Sequence, residues 1–195
     1  RKTLGLLRDI SKVKSYGVID ENIDKRIIKI ARAIGVIGAV VPSTNPIATP
    51  ANNIINSLKC GYAIIISPSQ KGIVGCERLI HFIHAEFEKC GINKDLVQMI
   101  PAPGTKIKTQ QMLEETDLVI VTGSQNNVRR AYTSGTPAIG VGAGNVTVII
   151  DETSNLKDAA IKIAASKTFD NATSCSSENS LIIINFIDDN KWVFR

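Results

Sequence analysis

The feature that most constrains this chain is a repeated alternation. Short β-branched runs are each followed by a segment with helical spacing and helix punctuation. The runs cover residues 35–41, 62–66, 96–100, 117–122 and 138–150. Thr49 and Pro50 supply an N-cap and a first-position proline for a helix over 51–59, and Gly61 is placed to stop it. Residues 75–89 carry Leu79, Ile80, Ile83 and Phe87 at helical spacing and end at Gly91. Segments 105–115 and 124–132 read as shorter helices. Parallel strands need long crossovers, and helices are the usual ones. The expected fold class is therefore α/β: a doubly wound, Rossmann-like parallel sheet covered on both faces.

The ends obey a different pattern. Residues 25–34 fit either an amphipathic helix or the second arm of a β-hairpin following 16–19, because short apolar runs match both periods. After Asp151 either Ser154 or Asn155 can cap a helix over 156–168, followed by a polar turn over 170–177 and a strand over 180–184.

Composition narrows the partners. With 195 residues, 44% hydrophobic and 21% charged, the chain suits a globular domain, or one domain and part of a second. No apolar run approaches the roughly 18 residues that cross a bilayer, so no membrane partner is expected. The net charge of +5 raises nucleic acid, but the basic residues are scattered and aromatics make up only 5%, so none is expected. Cys60, Cys76, Cys90 and Cys175 lie far apart with no CxxC pair, which reads as reduced thiols in a cytoplasmic protein rather than a disulfide frame. The first residue is Arg rather than Met, so the chain is expected to be a fragment, and an upstream targeting segment stays open.

Three segments can carry chemistry. Cys175 sits in Phe-Asp-Asn-Ala-Thr-Ser-Cys-Ser-Ser-Glu-Asn, a turn of small hydroxyl residues. Structural cysteines prefer apolar neighbours, whereas a nucleophile needs access and polar support. Cys60, Cys76 and Cys90, in or beside apolar helical segments, read as packing residues. Asn45 follows the first sheet strand between Thr44 and Pro46, where it offers a side-chain amide of the kind oxyanion holes use, or forms a simple turn. Gly123 and Ser124 end one strand and open a helix, a natural phosphate site. The glycines of Gly140-Val141-Gly142-Ala143-Gly144 do not make a dinucleotide fingerprint, because a strand rather than a helix follows them. His81 and His84, with Cys76 and Glu77, lie on an ordinary amphipathic helix, and no metal site is expected there.

Taken in order, four stretches resemble the aldehyde dehydrogenase family. They are GVIGAVVPSTNPIATP (35–50), VTGS (121–124), PAIGVGAGNVTVIIDE (137–152) and KTFDNATSCSSENS (167–180). The similarity is to its CoA-acylating branch, which includes acetaldehyde and sulfoacetaldehyde dehydrogenases, and it covers residues 16–184. The resemblance implies an N-terminal arm over 1–34, a dinucleotide-binding domain over 35–152 and a truncated beginning of the catalytic domain over 153–195. It implies Cys175 as the thiol that attacks a small aldehyde, Asn45 as the oxyanion donor, and NAD or NADP with coenzyme A as cofactors. Gly123 and Ser124 would lie near the pyrophosphate, Val141 and Gly142 near the nicotinamide, and Ser67 and Gln70 at the adenosine ribose.

Hydrolytic members carry a glutamate at the position of Gly140, and its absence points to the acylating reaction, because a thiol needs less activation than water. Gln70 is neutral, so NAD against NADP stays open. The tail over 185–195 is expected to leave the family pattern. The implied activity is oxidation of a small aldehyde to its acyl-CoA through a cysteine thioester, in a full-length protein expected to form a homo-oligomer. The isolated chain is expected to bind dinucleotide weakly and to lack turnover. A non-catalytic nucleotide-binding module is the alternative. A cysteine hydrolase pairing Cys175 with His81 or His84 is a remoter one, since both histidines sit on a crossover helix.

Overall fold

The computed structural model describes residues 2–184. The chain divides into two compact units, Arg1–Gly142 and Ala143–Arg195.

The first unit opens with helix α1 (Lys2–Ile10), which the sequence patterns do not suggest. An antiparallel hairpin follows, β1 (Gly17–Asn22) paired with β2 (Ile27–Ala31). The hairpin alternative for residues 25–34 therefore holds. Asn22 Oδ1 accepts from the Lys25 N–H in the turn, and Arg26 takes the left-handed conformation that closes it.

The sheet proper begins with β3 (Val36–Val40), helix α2 (Ala48–Lys59) and β4 (Ala63–Ser67). Helix α3 (Ile73–Cys90), β5 (Val97–Met99), helix α4 (Lys106–Glu115) and β6 (Leu118–Thr122) continue it. Helix α5 (Gln125–Tyr132) and β7 (Ala138–Val141) complete the unit. The five strands are all parallel, in the order β5-β4-β3-β6-β7. Two of the helix starts agree with the sequence, since Thr105 and Ser124 both cap with their side chains. Gly91 supplies the left-handed residue that ends α3, at φ 66°. The start of α2 differs: the N-cap is Ile47 without a side-chain bond, so Thr49 and Pro50 lie inside the first turn. Proline is tolerated there because first-turn amides have no intrahelical acceptor to lose.

Alternation along the strands sorts the core into two layers. Ile37, Ala39 and Val41 with Ile64, Ile66 and Val97 meet Ile54 of α2 and Cys76, Ile80 and Phe87 of α3. On the opposite face Val40, Val119 and Val121 meet Met112 and Leu113 of α4 and Val128 and Ala131 of α5. Ile64, Ile66, Val119 and Val121 are 0% exposed, and each such side chain contributes about 1.5–3 kcal/mol by leaving water.

The second unit contains β8 (Val146–Ile150), helix α6 (Leu156–Thr168) and β9 (Glu178–Ile183), with β8 and β9 forming their own parallel pair. The run 138–150, expected as one strand, is thus two strands in two separate sheets, divided at residues 142–145. Asn155, not Ser154, caps α6, accepting from the Asp158 N–H. The closing strand begins at Glu178, two residues earlier than the pattern suggests.

Candidate active site

In the first unit the carboxyl ends of the parallel strands collect the predicted residues along one rim. Asn45 follows β3, Ser67 ends β4 with Gln70 just beyond, Gly123 and Ser124 follow β6, and Val141 and Gly142 close β7. The chain winds from β3 outward to β5, then returns to the other side with β6 and β7. The reversal falls between β3 and β6, the switch point where open α/β sheets hold their ligands. Asn45 and Gly123 flank it.

Each rim segment is braced. Asn45 is half-buried, and its carbonyl accepts the Thr49 N–H at 3.3 Å, fusing the 43–45 turn to the start of α2. Ser67, 5% exposed, shares a 3.0 Å hydrogen bond with Thr109 Oγ1 of α4. Gln70 donates from Nε2 to the Gly104 carbonyl at 2.6 Å, joining the loops after β4 and β5. Lys108 Nζ donates to the carbonyls of Pro101 (3.2 Å) and Pro103 (3.1 Å), closing that second loop. The Gly123 N–H donates to the Val141 carbonyl at 3.1 Å, which ties the ends of β6 and β7.

The start of α5 suits an anion. Its first turn carries no acidic side chain, and Ser124 Oγ accepts from the Asn127 N–H. A Cβ added at Gly123 would rest at 3.7 Å from Asn127 Nδ2, an ordinary van der Waals contact. A helix start without acidic side chains favours an anion.

In the second unit the exposed thiol of Cys175 lies in the turn between α6 and β9. The Ser177 N–H donates to the Ser174 carbonyl at 3.1 Å, and the hydroxyls of Ser174 and Ser176 share a 2.8 Å bond across the cysteine. Three successive residues ahead of it, Asp170, Asn171 and Ala172, have φ of 51°, 53° and 57°. The far side of the turn is anchored, since Glu178 accepts from Ser166 Oγ at 2.7 Å and Lys167 Nζ donates to Asn179 Oδ1 at 3.2 Å. The Ser166 hydroxyl is the main cause that lowers the Glu178 carboxyl below its ordinary value.

The other cysteines divide. Cys76 is 0% exposed, and burial, helped by Glu77, pushes its thiol up to about 11. Cys60 is half-buried. Cys90, expected to pack, is exposed instead: it is the last residue of α3, where the helix runs out over solvent. All four are free thiols. His84 Nε2 lies 2.7 Å from the Val97 carbonyl, a packing bond between α3 and β5, while His81 is exposed. Among the described residues no group of three or more His, Cys, Asp or Glu is arranged to hold a metal ion. No described helix is long and apolar enough to cross a membrane.

The first unit thus carries a rim at its switch point, and the second an exposed thiol in a hydroxyl-rich turn. The family model for the aldehyde dehydrogenase family matches residues 5–191, and the chain belongs to that family. The match passes residue 184, so the expectation that the tail leaves the family is corrected as far as residue 191. Those tail residues lie outside the described part. The chain is 58% identical over 187 residues to a sulfoacetaldehyde dehydrogenase (acylating) from Cupriavidus necator, covering 96% of this chain and 38% of the relative. It is 34% identical to a succinate-semialdehyde dehydrogenase (acetylating) from Clostridium kluyveri, covering 93% of this chain and 40% of that protein. The solved acetylating aldehyde dehydrogenase from Geobacillus thermoglucosidasius superposes with a TM-score of 0.83 at 34% identity, covering 91% of this chain and 40% of that one. The chain therefore spans about two fifths of the length of the relatives it matches.

Proposed function

We propose that the protein carrying this chain is a CoA-acylating aldehyde dehydrogenase, oxidising a small aldehyde to its acyl-CoA through a thioester on Cys175. In this reading the sheet of the first unit is the dinucleotide-binding domain, and the second unit begins the catalytic domain. Cys175 Sγ attacks the aldehyde carbon. The side-chain amide of Asn45 and the Cys175 N–H hold the oxygen as it gains charge. NAD or NADP, when bound, supplies the hydride acceptor. Ser67 and Gln70 border its adenosine ribose, Gly123 and Ser124 its pyrophosphate at the start of α5, and Val141 and Gly142 its nicotinamide end. No acid occurs from Ser67 to Gln70, so the ribose segment does not by itself exclude a 2′-phosphate.

One observation carries the acylating half of the reading. From Thr122 to Ile150, a span that includes the turn closing β7, there is no Asp or Glu. Water is a poor nucleophile at neutral pH without a positioned base, whereas a thiol is a few per cent thiolate at about pH 7 and intrinsically nucleophilic. A thioester that meets no positioned base waits for a thiol. The names of the relatives, acylating and acetylating, support the same outcome.

The test uses the full-length protein, assayed for NAD(P)H formation with a panel of small aldehydes, with and without coenzyme A. Turnover should require coenzyme A, and Cys175→Ala should reduce it at least about a thousandfold. Turnover that persists in Cys175→Ala would refute the thioester route. If no aldehyde supports reduction but dinucleotide still binds, the chain is a nucleotide-binding module.

A further inference from the structure

The turn that carries Cys175 is gripped at its two ends. Ser166 Oγ, near the end of α6, donates to Glu178 Oε1 at 2.7 Å, and Lys167 Nζ donates to Asn179 Oδ1 at 3.2 Å. These ties join successive residues of α6 to the first two residues of β9, each across twelve positions, and Cys175 lies inside both. The first tie is the shorter, and its acceptor is a carboxylate, so it is the stronger of the two. Glu178 Oε2 is shielded from solvent and takes no hydrogen bond among the described residues.

The foot of the turn is fixed from the strand side as well. Val146 of β8 pairs with Glu178 and Thr147 with Ser180, so Asn179 is an extra residue, a bulge at the start of β9. Bulges re-aim the side chains beside them. Asn179 Nδ2 donates to the Gly144 carbonyl at 3.4 Å, and Ser180 Oγ donates to Asn145 Oδ1 at 2.9 Å. Between the ties the backbone is strained: Asp170, Asn171 and Ala172 have φ of 51°, 53° and 57°. Residues with a Cβ keep such a conformation only where their surroundings over-determine it. The closed ends of the turn supply that constraint. With the stronger tie cut, the strained segment can relax, and Cys175, three residues beyond Ala172, moves with it.

We propose that Glu178 is a positioning residue for the Cys175 thiol: by gripping Ser166 it holds the strained turn closed and keeps Sγ where it reacts. The proposal rests on the functional reading above for what the thiol does, while the grip itself is geometry within the second unit. Displacement of a reacting atom by about 1 Å can cost on the order of a hundredfold in rate.

Two measurements on the full-length protein test it. The first is amide hydrogen exchange at Ser177, which is 5% exposed and donates to the Ser174 carbonyl inside the turn. Glu178→Ala and Ser166→Ala, which cut one bond from its two sides, should each quicken that exchange at least about tenfold. Unchanged exchange in either variant overturns the grip, and this arm needs no activity. The second is steady-state kinetics with coenzyme A. Either variant should lower kcat at least about tenfold while KM for coenzyme A and for the dinucleotide stays within about twofold. The double variant should lose no more than the worse single one, because both remove the same bond. Glu178→Gln, which keeps an acceptor for Ser166, should recover most of kcat. Losses that multiply in the double variant, an unchanged kcat, or a Glu178→Gln protein as poor as Glu178→Ala would overturn the proposal. Absence of CoA-dependent turnover in the unmodified protein would instead sink the functional reading and leave the exchange result standing.

Discussion

The rim of the first unit and the thiol turn of the second solve opposite problems. The rim is braced from beneath by fully buried Ile64, Ile66, Val119 and Val121, and from the sides by the Ser67–Thr109, Gln70–Gly104 and Gly123–Val141 bonds. The turn is exposed over most of residues 169–176 and contains three successive non-glycine residues in the left-handed region. Each such residue costs conformational energy and persists only where its surroundings over-determine it.

The contrast can be broken at several points. The largest effect should be in thiol chemistry. The rise of the Cys76 thiol from 9.0 to about 11 cuts its thiolate fraction about a hundredfold at neutral pH, before burial slows access further. Alkylation followed by peptide mapping should modify Cys175 well before Cys76; simultaneous labelling would mean the two regions do not differ as described.

Next comes packing. Ile64→Ala should cost about 2–5 kcal/mol in denaturant unfolding, as expected where surroundings cannot collapse into the gap. A loss below about 1 kcal/mol would show a looser sheet. On the turn the sign reverses. Ala172→Gly, at φ 57°, should stabilise by about 0.5–1 kcal/mol, the relief of left-handed strain less the added unfolded-state entropy. Destabilisation there would mean that Ala172 does not hold this conformation.

The smallest effect concerns acid. The Glu178 carboxyl is lowered in the folded chain, first by Ser166, so its contribution is fully present above its ordinary 4.5 and fades as pH falls through the lower native value. Ser166→Ala should flatten stability against pH below about 4.5, and an unchanged acid limb would exclude that tie.

Much of this was legible in the sequence, for identifiable reasons. The strand–helix alternation set the sheet, because crossovers between parallel strands leave few other solutions. Ser124 announced one helix by its capping chemistry, and Ser154 or Asn155 another, of which Asn155 is the cap. Residues 25–34 were ambiguous because ten residues of mixed apolar pattern satisfy two periods. Thr49-Pro50 misled because a strong capping signature is equally at home one turn inside a helix. The glycine at 140 was visible, but not how tightly its surroundings are filled: a Cβ there would come within 2.6 Å of Val128 Cγ1, which no spacing along the chain encodes. The polar turn over 170–177 was legible, but not its left-handed run through Ala172, because alanine does not favour that backbone.

The seclusion of Cys76 has a practical corollary. An oxidant meeting this protein finds its most accessible sulfurs at Cys175 and at Cys90, while the sulfur beneath the sheet is both protonated and out of reach. Damage during storage should therefore fall first on the exposed thiols while leaving the melting curve intact.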